Sequence, residues 1–180
     1  MRYVIVTHNT EEAISVDDAK TFALRVVSSQ DDARIEQLII AAREAFEDFT
    51  GRILLETTLD VYLDSFPAGK IDLPPPLVSV TSVKYKDSNN VLQTLAPTAY
   101  VVDAVSEPGA VSPAYGESWP STYPEPNAVV IRCVSGSASA AEVRKRVIDG
   151  MYLYVSENYD GQDRHDAYEA LWWPYRILSI

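Results

Sequence analysis

Asp31-Asp32-Ala33-Arg34-Ile35-Glu36-Gln37-Leu38-Ile39-Ile40-Ala41-Ala42-Arg43-Glu44-Ala45-Phe46-Glu47-Asp48-Phe49-Thr50-Gly51-Arg52 carries the strongest periodicity in the chain. Ile35, Leu38, Ile39, Ala42, Phe46 and Phe49 recur at i, i+3, i+4, i+7, i+11 and i+14, the apolar stripe of an amphipathic helix. Arg34, Glu36, Arg43, Glu44, Glu47 and Asp48 take the other face. Asp31 and Asp32 stand where a helix dipole favours carboxylates, and Gly51 supplies the stop. The stripe needs a partner. The nearest in sequence is a shorter helix over residues 16–26, opened by Ser15 three residues before Asp18, a capping-box spacing, with Ala19, Phe22 and Ala23 on one face. Ser28-Ser29 separates the two. The main partner is expected to be a later helix whose stripe is Val143, Val147, Met151, Tyr154 and Val155.

Before these helices, Tyr3-Val4-Ile5-Val6 is a β-rich run. After them the period changes from 3.6 to 2. Leu59, Val61 and Leu63 alternate with Thr58, Asp60, Tyr62 and Asp64, a half-buried strand. Ile71-Asp72-Leu73 is a short strand stopped by Pro74-Pro75-Pro76. Residues 78–86 and 91–95 flank Asp87-Ser88-Asn89-Asn90 as a hairpin. Tyr100-Val101-Val102-Asp103, Ala110-Val111 and residues 128–134 add further short, antiparallel-looking strands. Ten of the eleven prolines fall in residues 67–126.

The chain thus reads as α+β. A small helical bundle, made of two N-terminal helices, a long C-terminal helix and a short one over residues 166–172, carries an inserted antiparallel β-rich lobe. Residues 1–180 form a single domain in this reading, with a helical part over 1–50, a β-rich insertion over 51–138, and C-terminal helices with an extended tail over 139–180. The 180 residues and 20.0 kDa suit one domain with a core.

Charge and composition exclude several classes. A net charge of −11 is a poor basis for gripping phosphate backbones, although such a chain can surround nucleic acid without sticking to it. The single cysteine, Cys133, excludes an internal disulfide. No apolar stretch approaches the roughly 20 residues that span a bilayer, and the first residues lack the apolar length of a signal peptide. A protein made and used in a cytoplasm, or built into a particle there, is expected.

Catalytic and metal-binding patterns are not found. His8 and His165 stand apart from each other and from cysteine, whereas zinc needs clustered ligands. There is no phosphate-binding glycine loop and no nucleophile elbow. The run from Asp160 to Asp166 is acidic but lacks the glycine and glutamate of a calcium loop, and reads as a solvated link between helices. The carboxylates of Glu36, Glu44, Glu47 and Asp48 belong to the polar face of a helix, a solvated arrangement rather than an acid/base pair. No enzyme and no cofactor is expected. Two features go beyond a solvated surface. Arg144-Lys145-Arg146 is a basic triplet on an acidic chain, read as the solvated side of its helix or as a contact to an acidic neighbour or DNA. The ending Leu171-Trp172-Trp173-Pro174-Tyr175-Arg176-Ile177-Leu178-Ser179-Ile180 holds two of the three tryptophans. It is a segment for the protein's own core or for a partner.

The ordered series of elements resembles the head–tail connector (adaptor) family of tailed bacteriophages, the gp6-like or DNA-packaging connector proteins. Ser15-Val16-Asp17-Asp18-Ala19-Lys20, the helix closing at Phe49-Thr50-Gly51-Arg52, and Asp64-Ser65-Phe66-Pro67-Ala68-Gly69-Lys70-Ile71-Asp72-Leu73-Pro74 carry the resemblance. So do Pro113-Ala114-Tyr115-Gly116-Glu117-Ser118-Trp119-Pro120 and Pro174-Tyr175-Arg176, as in the family's longer members with a β-rich insertion. A glycine-rich link and a proline are common before the family's last long helix; here that stretch is Val134-Ser135-Gly136-Ser137-Ala138-Ser139-Ala140-Ala141-Glu142.

The resemblance implies a virion protein of the head–tail interface, assembled in the host cytoplasm, that forms a usually dodecameric ring below the portal. Such a ring extends the DNA channel and offers a platform to stopper or tail-completion proteins. The implied partners are therefore the portal protein, a stopper or tail-completion protein, further copies of the chain, and genomic DNA passing without sequence-specific binding, with no membrane. On this reading Trp173, Tyr175, Arg176, Ile177, Leu178 and Ile180 are the candidate portal-docking tail, and Asp31, Asp32, Glu36, Glu44 and Glu47 are candidate channel-facing carboxylates. The alternatives are another assembly protein, such as a stopper or tail-completion factor, and a small ligand-binding or enzymatic module using the β-lobe.

Overall fold

The computed structural model describes residues 2–161 and 166–177, with the side chain of Asp166 left aside. The run expected as the solvated inter-helix link therefore lies partly outside the described residues, as do Leu178 and Ile180 of the tail. The chain forms two compact units, residues 1–8 with 56–136 and residues 9–55 with 137–180. Helices and antiparallel sheets are segregated in the α+β manner expected from the change of period.

Among the described residues the β unit holds eight strands: β1 (Arg2–Thr7), β2 (Thr57–Leu63), β3 (Ile71–Asp72), β4 (Leu77–Lys86), β5 (Leu92–Thr94), β6 (Tyr100–Asp103), β7 (Ala110–Pro113) and β8 (Val129–Ser135). They make a five-stranded sheet in the order β1-β2-β8-β4-β5 and a three-stranded sheet in the order β3-β7-β6, with all neighbouring strands antiparallel. Residues 2–7, grouped by sequence with the first helices, pair with β2 instead. Register aligns Val61 with Ile131 and Ile131 with Val83, and Leu59 with Cys133. All five side chains are fully buried, so alternation along each strand has produced one continuous core face.

The hairpin between β4 and β5 is closed by one carboxylate. Asp87 accepts from the N–H groups of Asn89 (2.9 Å) and Val91 (3.1 Å) and from the Gln93 amide (2.8 Å). Asn90 takes the left-handed conformation at φ 62°, which asparagine tolerates better than most residues.

On the other face of the sheet, Arg132 donates to both oxygens of Asp60, Nε to Oδ1 at 2.8 Å and an Nη to Oδ2 at 2.7 Å. These bonds hold the Asp60 carboxyl below the usual carboxylate range. A carboxyl whose folded pKa is depressed stabilises the fold above its unfolded value of about 3.9 and loses that contribution as pH falls through the folded value. Denaturant melts at a series of pH values should therefore show stability falling below about pH 4. Asp60→Asn should lower stability at neutral pH and make that acid limb shallower. A limb of unchanged slope would contradict the assignment.

Burial pushes the Cys133 thiol up to about 11. A thiol reagent at about pH 8 should leave the native protein unmodified and label it once it unfolds.

The helical unit holds α1 (Val16–Asp18), α2 (Asp32–Thr50), α3 (Lys145–Asp160) and α4 (Asp166–Trp172). The capping box is present: Ser15 Oγ accepts from the Asp18 N–H at 3.0 Å while the Asp18 carboxylate accepts from the Ser15 N–H at 3.3 Å. Beyond α1 the chain departs from the expected helix over residues 16–26. Residues Ala19–Leu24 form a π-helix, and Arg25 ends it in the left-handed conformation at φ 54°. A turn closed by i→i+5 bonds holds more residues than an α turn. The α spacing from Ala19 then no longer brings Phe22 inward. Phe22 is 66% exposed, and Lys20 is buried in an ion pair with Asp32.

Helices α2 and α3 meet through the two stripes read from the sequence. Ile35, Ile39, Ala42 and Phe46 are buried with Val147, Met151 and Val155 in one cluster. At the open end of the pair, the Tyr159 hydroxyl donates to Asp31 at 2.7 Å and Arg34 donates to the Tyr159 carbonyl at 2.9 Å. Gly51 ends α2 in the left-handed conformation at φ 72°, as a C-terminal glycine does. Helix α3 begins at Lys145, after a 3-10 turn over Ala140–Glu142.

A polar-face expectation fails at Arg43, which is buried at 7% exposure. Ile39, Arg43, Phe46 and Thr50 are themselves spaced by four, three and four residues, so Arg43 lies on the edge of the inner face. It is tolerated there because Glu12 (3.1 Å) and Glu47 (3.2 Å) both pair with it.

Candidate interaction surface

The C-terminal segment is built onto the end of α2. Trp172 is fully buried. Its ring stands edge-on to Phe46 with centroids 5.5 Å apart, and its Nε1–H donates to the Val147 carbonyl at 3.2 Å. Pro174 then turns the chain through a 3-10 turn, Trp173–Tyr175. The Ile177 N–H donates to the Thr50 carbonyl at 2.8 Å, and Arg52 Nε donates to the Tyr175 carbonyl at 2.5 Å. The Arg176 guanidinium lies 5.4 Å from the centres of both the Phe49 and Trp173 rings. Phe49-Thr50-Gly51-Arg52, at the end of α2, is thus the seat of residues 173–177.

Of the candidate tail residues, Trp173 is 59% exposed and Arg176 is exposed, whereas Tyr175 and Ile177 are half-buried. A large aromatic ring and a guanidinium held outward by backbone bonds are the residue types that anchor protein interfaces. The sequence placed Trp172 at the end of the short helix and Trp173 in the candidate tail, without assigning either to the core. Their consecutive positions put them on different sides of the turn, one in the core and one in solvent.

The five candidate carboxylates do not form one surface. Asp31 accepts from Tyr159, Asp32 pairs with Lys20, and Glu47 pairs with Arg43 while accepting from the Leu54 N–H at 2.9 Å. Glu36 and Glu44 are exposed on α2, and Glu44 stands 3.9 Å from the Arg43 guanidinium. Among the described residues no group of three potential metal ligands comes together, and no helix is long and apolar enough to cross a membrane.

Residues 13–94 match the family described as phage gp6-like head-tail connector protein. The chain is similar to gp6-like connectors. The matched segment begins before α1 and runs through α2 to the end of the β4–β5 hairpin, so it includes most of the residues on which the resemblance was read. No curated protein matches. Among solved structures, a chain in the neck of an empty gene transfer agent (GTA) particle, computed with C6 symmetry, superposes with a TM-score of 0.81 at 21% identity. The likeness covers 100% of this chain and 97% of that one. A chain in the virion of the native GTA particle gives 0.80 at 19% identity, and one in the native GTA neck computed with C12 symmetry gives 0.79 at 19%, each with the same coverage. At these identities the likeness establishes the fold, β unit included.

Proposed function

We propose that this chain is a structural head–tail connector subunit that forms a ring below the portal, extends the DNA channel, and gives stopper or tail proteins a platform. The observation that carries this reading is the family match over residues 13–94 joined to a fold shared, end to end, with chains of GTA particle necks. The chemistry is compatible. A cyclic ring needs two different complementary surfaces on each subunit, and a net charge of −11 lets DNA slide past without sticking. Within the candidate carboxylates, Glu36 and Glu44 are the exposed pair available to face a channel. The docking role falls to the segment from Trp173, where Trp173 and Arg176 present outward.

The test is to mix the purified protein with its cognate portal and image the product by electron microscopy. A ring on the narrow end of the portal is the expected result. A portal left bare, with binding only to a preformed connector, would replace this reading by that of a stopper. Trp173→Ala should weaken portal binding at least about tenfold, the loss of one interface anchor, while leaving the far-UV spectrum unchanged because the ring is mostly in solvent.

A further inference from the structure

The start of α3 runs against its own electrostatics. The N-terminal end of a helix carries partial positive charge and favours carboxylates. Here Arg144 occupies the N-cap without a side-chain capping bond, Lys145 and Arg146 follow, and the first turn holds no acidic residue. All three side chains are exposed. Lys145 is paired with Asp149 at 2.7 Å. Among the described residues, Arg144, Arg146 and Arg176 have no ion pair. The Arg144 guanidinium lies 5.7 Å from the centre of the Tyr175 ring, and Arg176 lies beside Trp173. The helix start and the C-terminal segment are therefore one cationic, aromatic patch, on a chain whose net charge is −11.

We propose that Arg144, Arg146, Arg176 and Trp173 form a docking site for a carboxylate-rich protein segment on the portal side of the assembly. This rests on the docking reading above and adds the chemistry that recognises the partner. Arg144 and Arg146 stand at the positive end of a helix dipole, Arg176 lies on the C-terminal segment that Arg144 reaches through Tyr175, and among the described residues no carboxylate neutralises any of the three. A local rule broken in this way marks a site retained for something outside the subunit. Guanidinium matches a carboxylate in a two-bond fork. The exposed indole adds an apolar anchor suited to a protein partner, whereas a duplex keeps its bases stacked and offers no open ring face to it. The acidic remainder of the chain also repels a long polyanion while leaving a short acidic segment free to reach the patch.

The experiment measures binding of the full-length chain to the cognate portal at about 0.05 M and about 0.5 M salt, since exposed charge pairs are screened across that range. Three proteins are compared: wild type, Arg144→Glu/Arg146→Glu, and Arg144→Lys/Arg146→Lys. Wild type should bind at least about tenfold more weakly at the higher salt. The glutamate variant should lose at least about tenfold at low salt with a thermal midpoint no lower than that of wild type, since carboxylates suit a helix start, and the lysine variant should keep most of the affinity. If wild type binds the portal and the glutamate variant binds equally well, this inference is wrong while the connector reading stands. If wild type does not bind the portal at either salt, both fail. A parallel titration uses a duplex of about 30 base pairs at low salt. Charge-dependent DNA binding with unaltered portal binding would assign the patch to nucleic acid and overturn the proposal.

Discussion

Replacing Trp172 with alanine is expected to cost about 3–5 kcal/mol of unfolding free energy, read as a fall in the denaturant midpoint of the helical signal. The side chain is fully buried and is among the largest in the core. Its ring meets Phe46 at 5.5 Å, Tyr168 at 5.0 Å and Phe49 at 6.5 Å, so truncation removes area and leaves a cavity between α2, α3 and α4. The indole also carries a hydrogen bond to the Val147 carbonyl, which would be left without it. The site is tight as well as large. A Cβ placed on Gly150 of α3 would collide with Trp172 Nε1 and come within 2.8 Å of Cδ1. Gly150→Ala should therefore destabilise by about 1–3 kcal/mol, although alanine is the better helix former by about 1 kcal/mol. A Gly150→Ala protein as stable as wild type would show that the indole moves aside easily, and would also reduce the expected cost of removing it.

Arg43→Ala is expected to cost about 3 kcal/mol, the lower end of the range for breaking a buried ion pair. Arg43 and Glu47 are both largely removed from solvent, with side-chain exposures of 9% and 14%, and Glu12 retains 24%. Removing the cation leaves the neighbouring carboxylates of Glu12 and Glu47 without the guanidinium that both pair with. Their repulsion would loosen the approach to α1, where Glu12 lies, and the turn after α2, where Glu47 holds the Leu54 N–H. Adding Glu47→Gln to Arg43→Ala should recover part of the loss, because the amide keeps an acceptor for that N–H and removes one charge. Equal stability of the single and double variants, in matched urea melts, would mean that the carboxylates had found water and that the pairing contributes little.

Much of the α2–α3 core was legible in the sequence because its information is local. A stripe at 3.6-residue spacing states which side of a helix is apolar, and Ile35, Ile39, Ala42 and Phe46 were identified from spacing alone. Alternation did the same for Leu59 and Val61, and Asp87-Ser88-Asn89-Asn90 marked its hairpin through residues that close turns with their own side chains. The π-helix was not legible. It accompanies the Lys20–Asp32 pair, which joins residues on either side of the Ser28-Ser29 break and which no local pattern announces. The place of β1 was not legible either, since a β-rich run does not name its partner, and β2 lies some fifty residues away along the chain.

The candidate surface divides in the same way. Tryptophan, tyrosine and arginine near a chain's end suggest an anchor by type, and a basic triplet on an acidic chain stands out by composition. Which tryptophan fills the core was decided by packing, because Gly150 on α3 leaves room for one indole and the turn at Pro174 directs the next outward. Likewise, sequence spacing made Asp31, Asp32, Glu36, Glu44 and Glu47 look equivalent. Tyr159 and Lys20 engage Asp31 and Asp32 from elsewhere in the chain, while Arg43, on the same helix, pairs with Glu47 and lies 3.9 Å from Glu44. Residue order and periodicity alone settled the change from helix to strand, the inner faces of α2, α3 and β2, and the family resemblance, because these are written along the chain. Only the tertiary structure decided which charges remain free and that the start of α3 joins the C-terminal segment. Those outcomes depend on contacts between residues such as Arg144 and Tyr175 or Thr50 and Ile177, which no local pattern encodes.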